Sequence, residues 1–341
     1  MQSRVADLWV PDAGAVRCLL CPHACRIRPG ATGICGVRRN EDGTLIALTW
    51  GRISSVAVDP IEKKPVFHYR PGSSVLSLGS VGCTMRCGHC QNWQISRATT
   101  EDGILFDLPP LQVVELALRD HCAGVAFTYN EPVIQAEYVR DCAGPAHDAG
   151  LFTVMVTNGY ITQEGLDYLA GSVDVWRVDL KGMTDEAYRT LCRVPSVAPV
   201  LAATERAKHV HHMHVEVVTN VVPGINDDEA QLRSIAAWIA GSLGPETPWH
   251  ITRFFPYLDF ADKPPTPLET LRLARDIGLA AGLHFVYLGN VDEPGSEDTR
   301  CPGCGETLVR RSGFIVSENH IADGHCPGCG RRSDVVTAQS G

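Results

Sequence analysis

The stretch GCTMRCGHCQNW, residues 82–93, brings three cysteines into one short loop: Cys83, Cys87 and Cys90. Cysteine thiolates bind zinc and iron–sulfur clusters, and a closed tetrahedral zinc site needs four of them. Three thiolates instead suit a [4Fe–4S] cluster in which one iron keeps an open position, as a catalytic metal site does. The alternatives are an incomplete zinc site or unrelated thiols. Gly82 and Gly88 suit the tight backbone path that such a loop requires.

Two further groups of cysteines flank this loop in the sequence. The N-terminal group is Cys18, Cys21, Cys25 and Cys35, and the C-terminal group is Cys301, Cys304, Cys326 and Cys329. The C-terminal group forms two CPGCG units, which predict a structural zinc ribbon, with rubredoxin-like iron as the alternative. The N-terminal four predict zinc or an auxiliary [4Fe–4S] cluster. Three single cysteines remain and are expected to be small buried side chains: Cys122, Cys142 and Cys192.

The composition favours metal binding over a disulfide scaffold. The 341 residues include 14 cysteines and 44% hydrophobic residues, and the formal net charge is −9. No export signal and no run of about 18 apolar residues is present. We therefore expect a soluble, cytoplasmic protein without membrane contact, whose clustered cysteines bind metals. The negative charge gives no general reason to bind nucleic acid.

Short apolar runs alternate with segments of helical period between about residue 70 and residue 295. The predicted strands are SVLSLG (74–79), GVAFTY (124–129), FTVMVT (152–157), VWRVDL (175–180), HVEVVTNVV (214–222), WHITRF (249–254) and HFVYLG (284–289). Residues 228–243 are one predicted helix, with Asn226, Asp227 and Asp228 as candidate caps and Gly244 with Pro245 at its end. The alternation predicts a parallel sheet that is closed, or partly closed, as a β/α barrel.

Polar residues follow the predicted strands where a barrel places its site, at the C-terminal ends of the strands. The cysteine loop follows the first strand, TYNE the second, TNG the third and DLK the fourth. We therefore expect these segments to meet at one open mouth. Before the barrel, residues 43–70 predict a β-hairpin followed by a turn-rich stretch. After it, the acidic residues 290–300 predict a linker to a hinged C-terminal module.

The sequence resembles the radical S-adenosylmethionine (radical SAM) enzymes through the Cys-x3-Cys-x2-Cys loop after the first barrel strand. More narrowly, it is similar to the pyruvate-formate-lyase-activating-enzyme group and, within that group, to the AmmeMemoRadiSam-system radical SAM proteins. The similar segments are CLLCPHACRIRPGATGICGVR, DPIEKKPVFHYRPGS, GCTMRCGHCQNWQIS, TYNEP, VDLKG, VPGIND and VYLGNV. The resemblance implies an α/β fold with a partial (β/α)6-type barrel at residues 48–295, between a Cys-rich module at residues 1–47 and a zinc ribbon at residues 296–341.

The resemblance also implies an activity. The open iron would bind S-adenosylmethionine, and one electron from a donor such as flavodoxin or ferredoxin would cleave it to methionine and a 5′-deoxyadenosyl radical. That radical would abstract hydrogen from a substrate that the sequence does not name, with a protein partner or substrate as one option. A second hypothesis is an activase that makes a glycyl radical on a partner protein. A third is a non-catalytic scaffold whose zinc-binding modules recruit partners.

The resemblance assigns site residues beyond the cysteines. Six are expected to contact S-adenosylmethionine: Thr128, Asn130, Glu131, Thr157, Asn158 and His89. Three are expected to be catalytic: Asp179, Lys181 and His250. Glu131 is expected to meet the methionyl amino group, and the flat ring of His89 to stack on adenine. The alternatives are that Glu131 caps the following helix and that Asp179 and Lys181 form a solvated ion pair.

Overall fold

The computed structural model describes residues 4–103 and 105–337. The outermost residues of the predicted N- and C-terminal modules, 1–3 and 338–341, therefore lie outside the described part. Within that part, no helix combines the length and the apolar character needed to cross a membrane.

Six short strands precede the barrel. They are β1 (Arg4–Val5), β2 (Trp9–Asp12), β3 (Ala15–Cys18), β4 (Arg26–Ile27), β5 (Arg38–Glu41) and β6 (Thr44–Ala47). They form two antiparallel sheets, β2-β3-β4 and β1-β6-β5. The hairpin joins β5 to β6 across Asp42 and Gly43, which both have positive φ. The prediction that residues 43–70 contain the whole hairpin is therefore wrong, because its first strand precedes residue 43.

The central sheet is a partial barrel of parallel strands. After β7 (Arg52–Ile53) come β8 (Ser55–Pro60), β9 (Ser74–Gly79), β10 (Phe106–Asp107), β11 (Gly124–Phe127), β12 (Phe152–Thr157), β13 (Val175–Asp179), β14 (His214–Val221), β15 (Trp249–Arg253) and β16 (Val286–Gly289). The sheet order is β16-β15-β14-β13-β12-β11-β9-β8, and β7 pairs separately with β10. Neighbours are parallel except β8, which is antiparallel to β9. All seven predicted strands are present. The sheet therefore has seven parallel strands, one more than the (β/α)6-type barrel that the resemblance implies.

These strands form because their runs of apolar, often β-branched residues are buried on both faces, as parallel strands covered by helices require. β11 and β13 illustrate this, since all four residues of β11 and the first four of β13 are buried. Inside the barrel, apolar side chains from neighbouring strands pack together, among them Val75, Ala126, Val154 and Val175. The opposite faces of the strands pack against the surrounding helices. The barrel interior is thus filled below a polar mouth.

Helices connect the strands. They are α1 (Trp93–Ser96), α2 (Pro110–Arg119), α3 (Ala136–Asp148), α4 (Gln163–Tyr168), α5 (Asp185–Cys192), α6 (Ala198–His209), α7 (Glu229–Trp238) and α8 (Leu268–Ala280). α7 begins at the last of the three candidate caps, where the Asp228 carboxylate accepts the N–H of Gln231 at 3.0 Å. It ends earlier than predicted, because Ile239–Leu243 forms a π-helical turn before Gly244.

The C-terminal cysteines lie on a small antiparallel sheet docked against the barrel. Its strands are β17 (Thr299–Arg300), β18 (Thr307–Ser312) and β19 (Ile315–Asn319). Arg311 on β18 is buried and donates to the carbonyl oxygen of Phe67 at 2.7 Å. The guanidinium also lies 4.2 Å from the centroid of the Phe67 ring. The structure therefore shows an anchored module in place of the predicted hinge.

Candidate active site

The cysteine loop leaves the sheet at the C-terminal end of β9 and packs tightly against its surroundings. Gly82 has a φ of 87°, and a side-chain carbon there would lie 2.6 Å from the carbonyl oxygen of Cys35. Only glycine fits this position without displacing that backbone. On the other side, the backbone N–H of Arg86 donates at 3.0 Å to the carbonyl oxygen of Cys192, at the end of α5. The loop is thus held between the N-terminal module and α5.

Asn130 holds the first part of the loop and is not free to meet a ligand. Its side-chain oxygen accepts the N–H of Ser80 at 2.9 Å, and its amide donates to the carbonyl oxygens of Val81 and Gly82 at 3.3 and 3.1 Å. These contacts give Asn130 a positioning role, and its expected cofactor contact stays a prediction. Thr128, also expected to bind the cofactor, lies buried just beyond the end of β11, where its N–H continues the ladder to β9.

The three cysteines of the loop are half-buried. The sulfur of Cys83 accepts the Asn158 side-chain amide at 3.7 Å, and that of Cys90 lies 3.3 Å from the hydroxyl of Ser96. Among the described residues, Cys83, Cys87 and Cys90 do not all lie within 4.8 Å of one another, whereas the four ribbon sulfurs do. This wider spacing fits a cluster in which each sulfur binds a different iron, and it does not fit a single zinc ion.

Glu131 lies at the centre of a hydrogen-bond network beside the loop. It is 2% exposed, and its Oε1 accepts from the hydroxyl of Thr157 at 2.6 Å and the N–H of Val133 at 3.0 Å. Its Oε2 accepts the N–H of Asn158 at 2.8 Å. Burial raises the pKa of Glu131 to about 7, although these donors oppose the shift. The helix-capping alternative is thus observed, yet a carboxylate offers about four acceptor positions, so one remains for a ligand.

Thr157 and Asn158, expected to meet the ribose, make their described side-chain contacts within the protein. The Thr157 hydroxyl accepts the N–H of Gly159 at 3.0 Å as well as donating to Glu131. The Asn158 amide donates to the hydroxyl of Thr84 at 3.0 Å in addition to its contact with the Cys83 sulfur. Asn158 therefore contacts the first sulfur of the cysteine loop. Sequence reasoning missed Thr84, whose only signal was its place beside the first cysteine.

Asp179 and Lys181 meet at the mouth as a partly buried ion pair. The ammonium nitrogen of Lys181 lies 3.1 Å from the Asp179 carboxylate, and Arg177 donates to the same carboxylate. Burial would raise the pKa of Asp179, but Arg177 and Lys181 lower it to about 2. Burial likewise opposes the charge of Lys181, but Asp179 raises its pKa above the usual range. The Lys181 side chain is 14% exposed and the Asp179 side chain 32%, so this ion pair is partly shielded from solvent and partly open to it.

Arg177 was missed by sequence reasoning, although a signal existed. It stands in the middle of the apolar strand VWRVD, where a charged residue needs a partner. Asp179, two residues later on the same strand, points to the same side of the sheet and supplies that partner. The charged group at the mouth therefore has three members.

His89 presents a neutral, flat ring beside the cysteine loop. It stacks with Phe260, with ring centroids 6.0 Å apart and planes 9° from parallel, and Phe254 meets its edge. Burial lowers the pKa of His89 to about 3. Its Nδ1 atom is buried and has no hydrogen-bond partner among the described residues. A ring with an unpaired polar atom fits contact with a heteroaromatic group such as adenine.

The structure contradicts the expected catalytic role of His250. This residue is the second in β15, near the end of the strand that lies opposite the mouth. Its Nε2 lies 2.6 Å from a carboxylate oxygen of the buried Glu216, which also accepts the N–H of Phe67 at 2.9 Å. The rings of Phe67 and His250 are in edge contact, 4.7 Å apart. His250 therefore closes the base of the barrel, and no described contact joins it to the cysteine loop.

The ribbon cysteines form a compact four-sulfur group. Two pairs of sulfurs are 3.6 Å apart, Cys301 with Cys329 and Cys304 with Cys326. Tetrahedral bonds of about 2.3 Å to one zinc ion would place the sulfurs about 3.8 Å apart. The group can therefore hold one metal ion of this size. The three single cysteines are buried, as expected: Cys122, Cys142 and Cys192.

Comparison with known proteins identifies the family. The model of the radical SAM superfamily matches residues 78–234, which include the cysteine loop, Glu131 and the Asp179–Lys181 pair. An uncharacterized protein of Methanocaldococcus jannaschii is 42% identical over 300 residues, which cover 88% of this chain and 89% of that protein. The chain belongs to the radical SAM superfamily. This confirms the α/β fold and the radical SAM resemblance that the sequence predicted.

Within the superfamily, this radical SAM protein is similar to activating enzymes. Pyruvate formate-lyase 1-activating enzyme of Escherichia coli K12 is 30% identical over 159 residues, which cover 43% of this chain and 61% of that enzyme. The crystal structure of a domain of pyruvate-formate lyase-activating enzyme from Bacteroides vulgatus covers 49% of this chain and 99% of that domain, at 23% identity and a TM-score of 0.42. The narrower AmmeMemoRadiSam assignment stays a prediction.

Proposed function

We propose that this protein is an enzyme that binds S-adenosylmethionine at a [4Fe–4S] cluster held by Cys83, Cys87 and Cys90. The observation that carries the proposal is the arrangement of these sulfurs. The cysteines that carry them are half-buried on the loop that follows β9, and among the described residues the sulfurs are spaced more widely than the ligands of one zinc ion. Three such thiolates fit a cluster with one open iron, and membership of the radical SAM superfamily supports the same assignment.

When bound, the cluster and S-adenosylmethionine supply one-electron cleavage to methionine and a 5′-deoxyadenosyl radical, which abstracts hydrogen from the substrate. The chain's own residues bind and orient. Glu131 has one acceptor position left for the amino group of S-adenosylmethionine, and Asn158 supports the Cys83 sulfur. Lys181 and Asp179 keep fixed opposite charges at the mouth for a carboxylate or a polar substrate group. His89 offers its neutral ring to the adenine.

Other parts of the proposal concern the partners and the metals of the chain. The electron donor is a flavodoxin- or ferredoxin-type protein, and zinc occupies the ribbon. The residue ranges 1–47, 48–295 and 296–341 describe the three modules. The site is expected to operate in the cytoplasm, and its substrate is a protein or another molecule that fits the barrel mouth.

The experiment is anaerobic reconstitution with iron and sulfide, reduction with dithionite and incubation with S-adenosylmethionine. We expect 5′-deoxyadenosine and methionine in about equal amounts by mass spectrometry, since each cleavage releases both. A Cys142→Ser variant, altered at a buried thiol outside the three cysteine groups, is the matched control and should behave as wild type. A reduced cluster that yields no 5′-deoxyadenosine would overturn the proposal and favour the scaffold hypothesis.

A glycyl-radical activase is the second candidate, favoured by the similarity to the E. coli activating enzyme. This hypothesis is tested by mixing the reduced protein with S-adenosylmethionine and a glycyl radical enzyme whose gene lies beside the gene of this protein. Electron paramagnetic resonance should then show the doublet of a glycyl radical. The doublet must depend on S-adenosylmethionine. Its absence, with 5′-deoxyadenosine still formed, would point to a different substrate.

A further inference from the structure

The four N-terminal cysteines converge on a cavity that the site described above does not use. Its lining contains all four: Cys18, Cys21, Cys25 and Cys35. The empty space, its open mouth included, is about 310 Å³. Cys18 and Cys35 are buried, and the other two are half-buried. Four thiols at ligand-like sequence spacings around one cavity indicate a metal site.

The spacing of these sulfurs differs from the spacing in the ribbon. All four ribbon sulfurs lie within 4.8 Å of one another, as a single tetrahedral ion requires. Among the described residues, no three sulfurs of the N-terminal group satisfy that limit, and the loop of Cys83, Cys87 and Cys90 does not satisfy it either. A cubane cluster binds each cysteine to a different iron, at a different corner of the cube, and so requires wider spacing than one ion.

The walls of the cavity supply donors that suit anionic sulfur. Arg38 lines the cavity, is 1% exposed and pairs with Glu137. Its Nε–H is buried and has no hydrogen-bond partner in the part of the chain that the structure describes. The N–H of Ile34 donates to the Cys25 sulfur at 3.5 Å. A nearby cation favours thiolates, and hydrogen bonds to sulfur tune iron–sulfur clusters.

The geometry points to an auxiliary [4Fe–4S] cluster at Cys18, Cys21, Cys25 and Cys35, in place of a second zinc ion. Because four thiolates bind all four irons, this cluster keeps no open position for S-adenosylmethionine or substrate.

The proposed cluster adjoins the cysteine loop of the active site. The Nε2 atom of His23 donates to the Thr84 carbonyl oxygen at 2.7 Å, and Arg86 donates to the Ile34 carbonyl oxygen at 3.0 Å. These contacts join the two cysteine-bearing segments directly. The auxiliary site itself is independent of the reaction proposed above.

The test uses the full-length variant with Cys83, Cys87 and Cys90 all changed to Ala, purified anaerobically after reconstitution. Because it lacks the ligands of the first cluster, its iron reports on the N-terminal site alone. We expect about four iron and four sulfide per chain, with about one zinc from the ribbon. The reduced variant should give a cluster signal in electron paramagnetic resonance that S-adenosylmethionine does not change. About two zinc and no iron per chain, or a signal altered by S-adenosylmethionine, would overturn the assignment.

A second variant guards against misfolding of the first. Cys18→Ser with Cys21→Ser in the otherwise wild-type chain should lower iron from about eight to about four per chain. A Cys122→Ser variant, which changes a buried cysteine outside all three groups, should stay at about eight. Unchanged iron in the double variant would overturn the proposal. Failure of the proposed function would look different: the wild type would form no 5′-deoxyadenosine, while the double variant would still carry about four iron fewer than the Cys122→Ser variant.

Discussion

Arg311 provides a sharp test of how the ribbon is attached to the barrel. Its guanidinium donates to the carbonyl oxygens of Phe67 and Glu297 at 2.7 and 3.0 Å and to the hydroxyl of Thr299 at 2.8 Å. It also lies 3.7 Å from the carboxylate of Glu62, and both side chains are 0% exposed. Arg311→Ala would remove the guanidinium from these groups, and the buried Glu62 carboxylate would keep the N–H of Gly72, at 2.9 Å, as a donor.

The expected cost follows from burial. Removing one member of a buried ion pair costs about 3–5 kcal/mol, because the remaining charge stays buried without compensation. The adjacent Arg310 gives a matched control on the same strand. It pairs with Glu318, but these side chains are 52% and 45% exposed. Removing an exposed pair of this kind costs about 0–1 kcal/mol.

The assay is urea unfolding of the two zinc-loaded variants, with the free energy of unfolding extrapolated at a common slope. Arg311→Ala should be less stable than Arg310→Ala by about 3 kcal/mol or more. Equal midpoints for the two variants would refute the anchored arrangement and support a ribbon hinged to the barrel.

Three further predictions concern the site and the metals. Burial raises the pKa of Glu131 from 4.5 to about 7, so the stabilisation from its protonated form is present below about pH 4.5 and is lost as the pH rises through 7. The free-energy difference between wild type and Glu131→Gln should therefore fall by about 2.5 kcal/mol from about pH 5 to pH 8, and a pH-independent difference would contradict this. Asn158→Ala removes an N–H contact to the Cys83 sulfur and should lower the reduction potential of the proposed cluster at Cys83, Cys87 and Cys90. Asn92→Ala, at an exposed residue, is the control and should leave that potential unchanged. Equal potentials for the two variants in a redox titration would contradict this prediction. A chelator that removes zinc should unfold the ribbon sheet and leave the cluster iron in place, because so small a segment depends on its metal for stability. The measurement is hydrogen exchange of the β18 amides, which should become faster. An unchanged exchange rate would contradict this prediction.

The barrel strands could be predicted because their signal is local. FTVMVT and SVLSLG are strands over the whole predicted range, since runs of β-branched residues between turns specify strands by themselves. The hairpin was misplaced because its partner, β5, carries the polar sequence RRNE, which has no apolar alternation to reveal it. Pairing partners are set by contacts distant in sequence, and apolar pattern alone does not give them.

The site residues show the same limit. Glu131 and Thr157 are 26 residues apart and meet only because β11 and β12 are neighbours. His250 was assigned to the mouth through resemblance, although its place at the start of a predicted strand already indicated the opposite end. Arg310 and Arg311 are adjacent in sequence, and only the fold distinguishes the exposed one from the buried one. Residue type therefore indicated the chemistry, while tertiary contacts decided which residues take part.

The most direct test of the central claim is the amount of 5′-deoxyadenosine formed by the variant with Cys83, Cys87 and Cys90 changed to Ala. Wild type and the variant are compared after the same anaerobic reconstitution and reduction, with Cys142→Ser as the control. The three thiolates are the proposed ligands of the cluster that binds S-adenosylmethionine, so the triple variant should form no 5′-deoxyadenosine above background while the control matches wild type. Cleavage of S-adenosylmethionine by the triple variant at the wild-type rate would contradict the account.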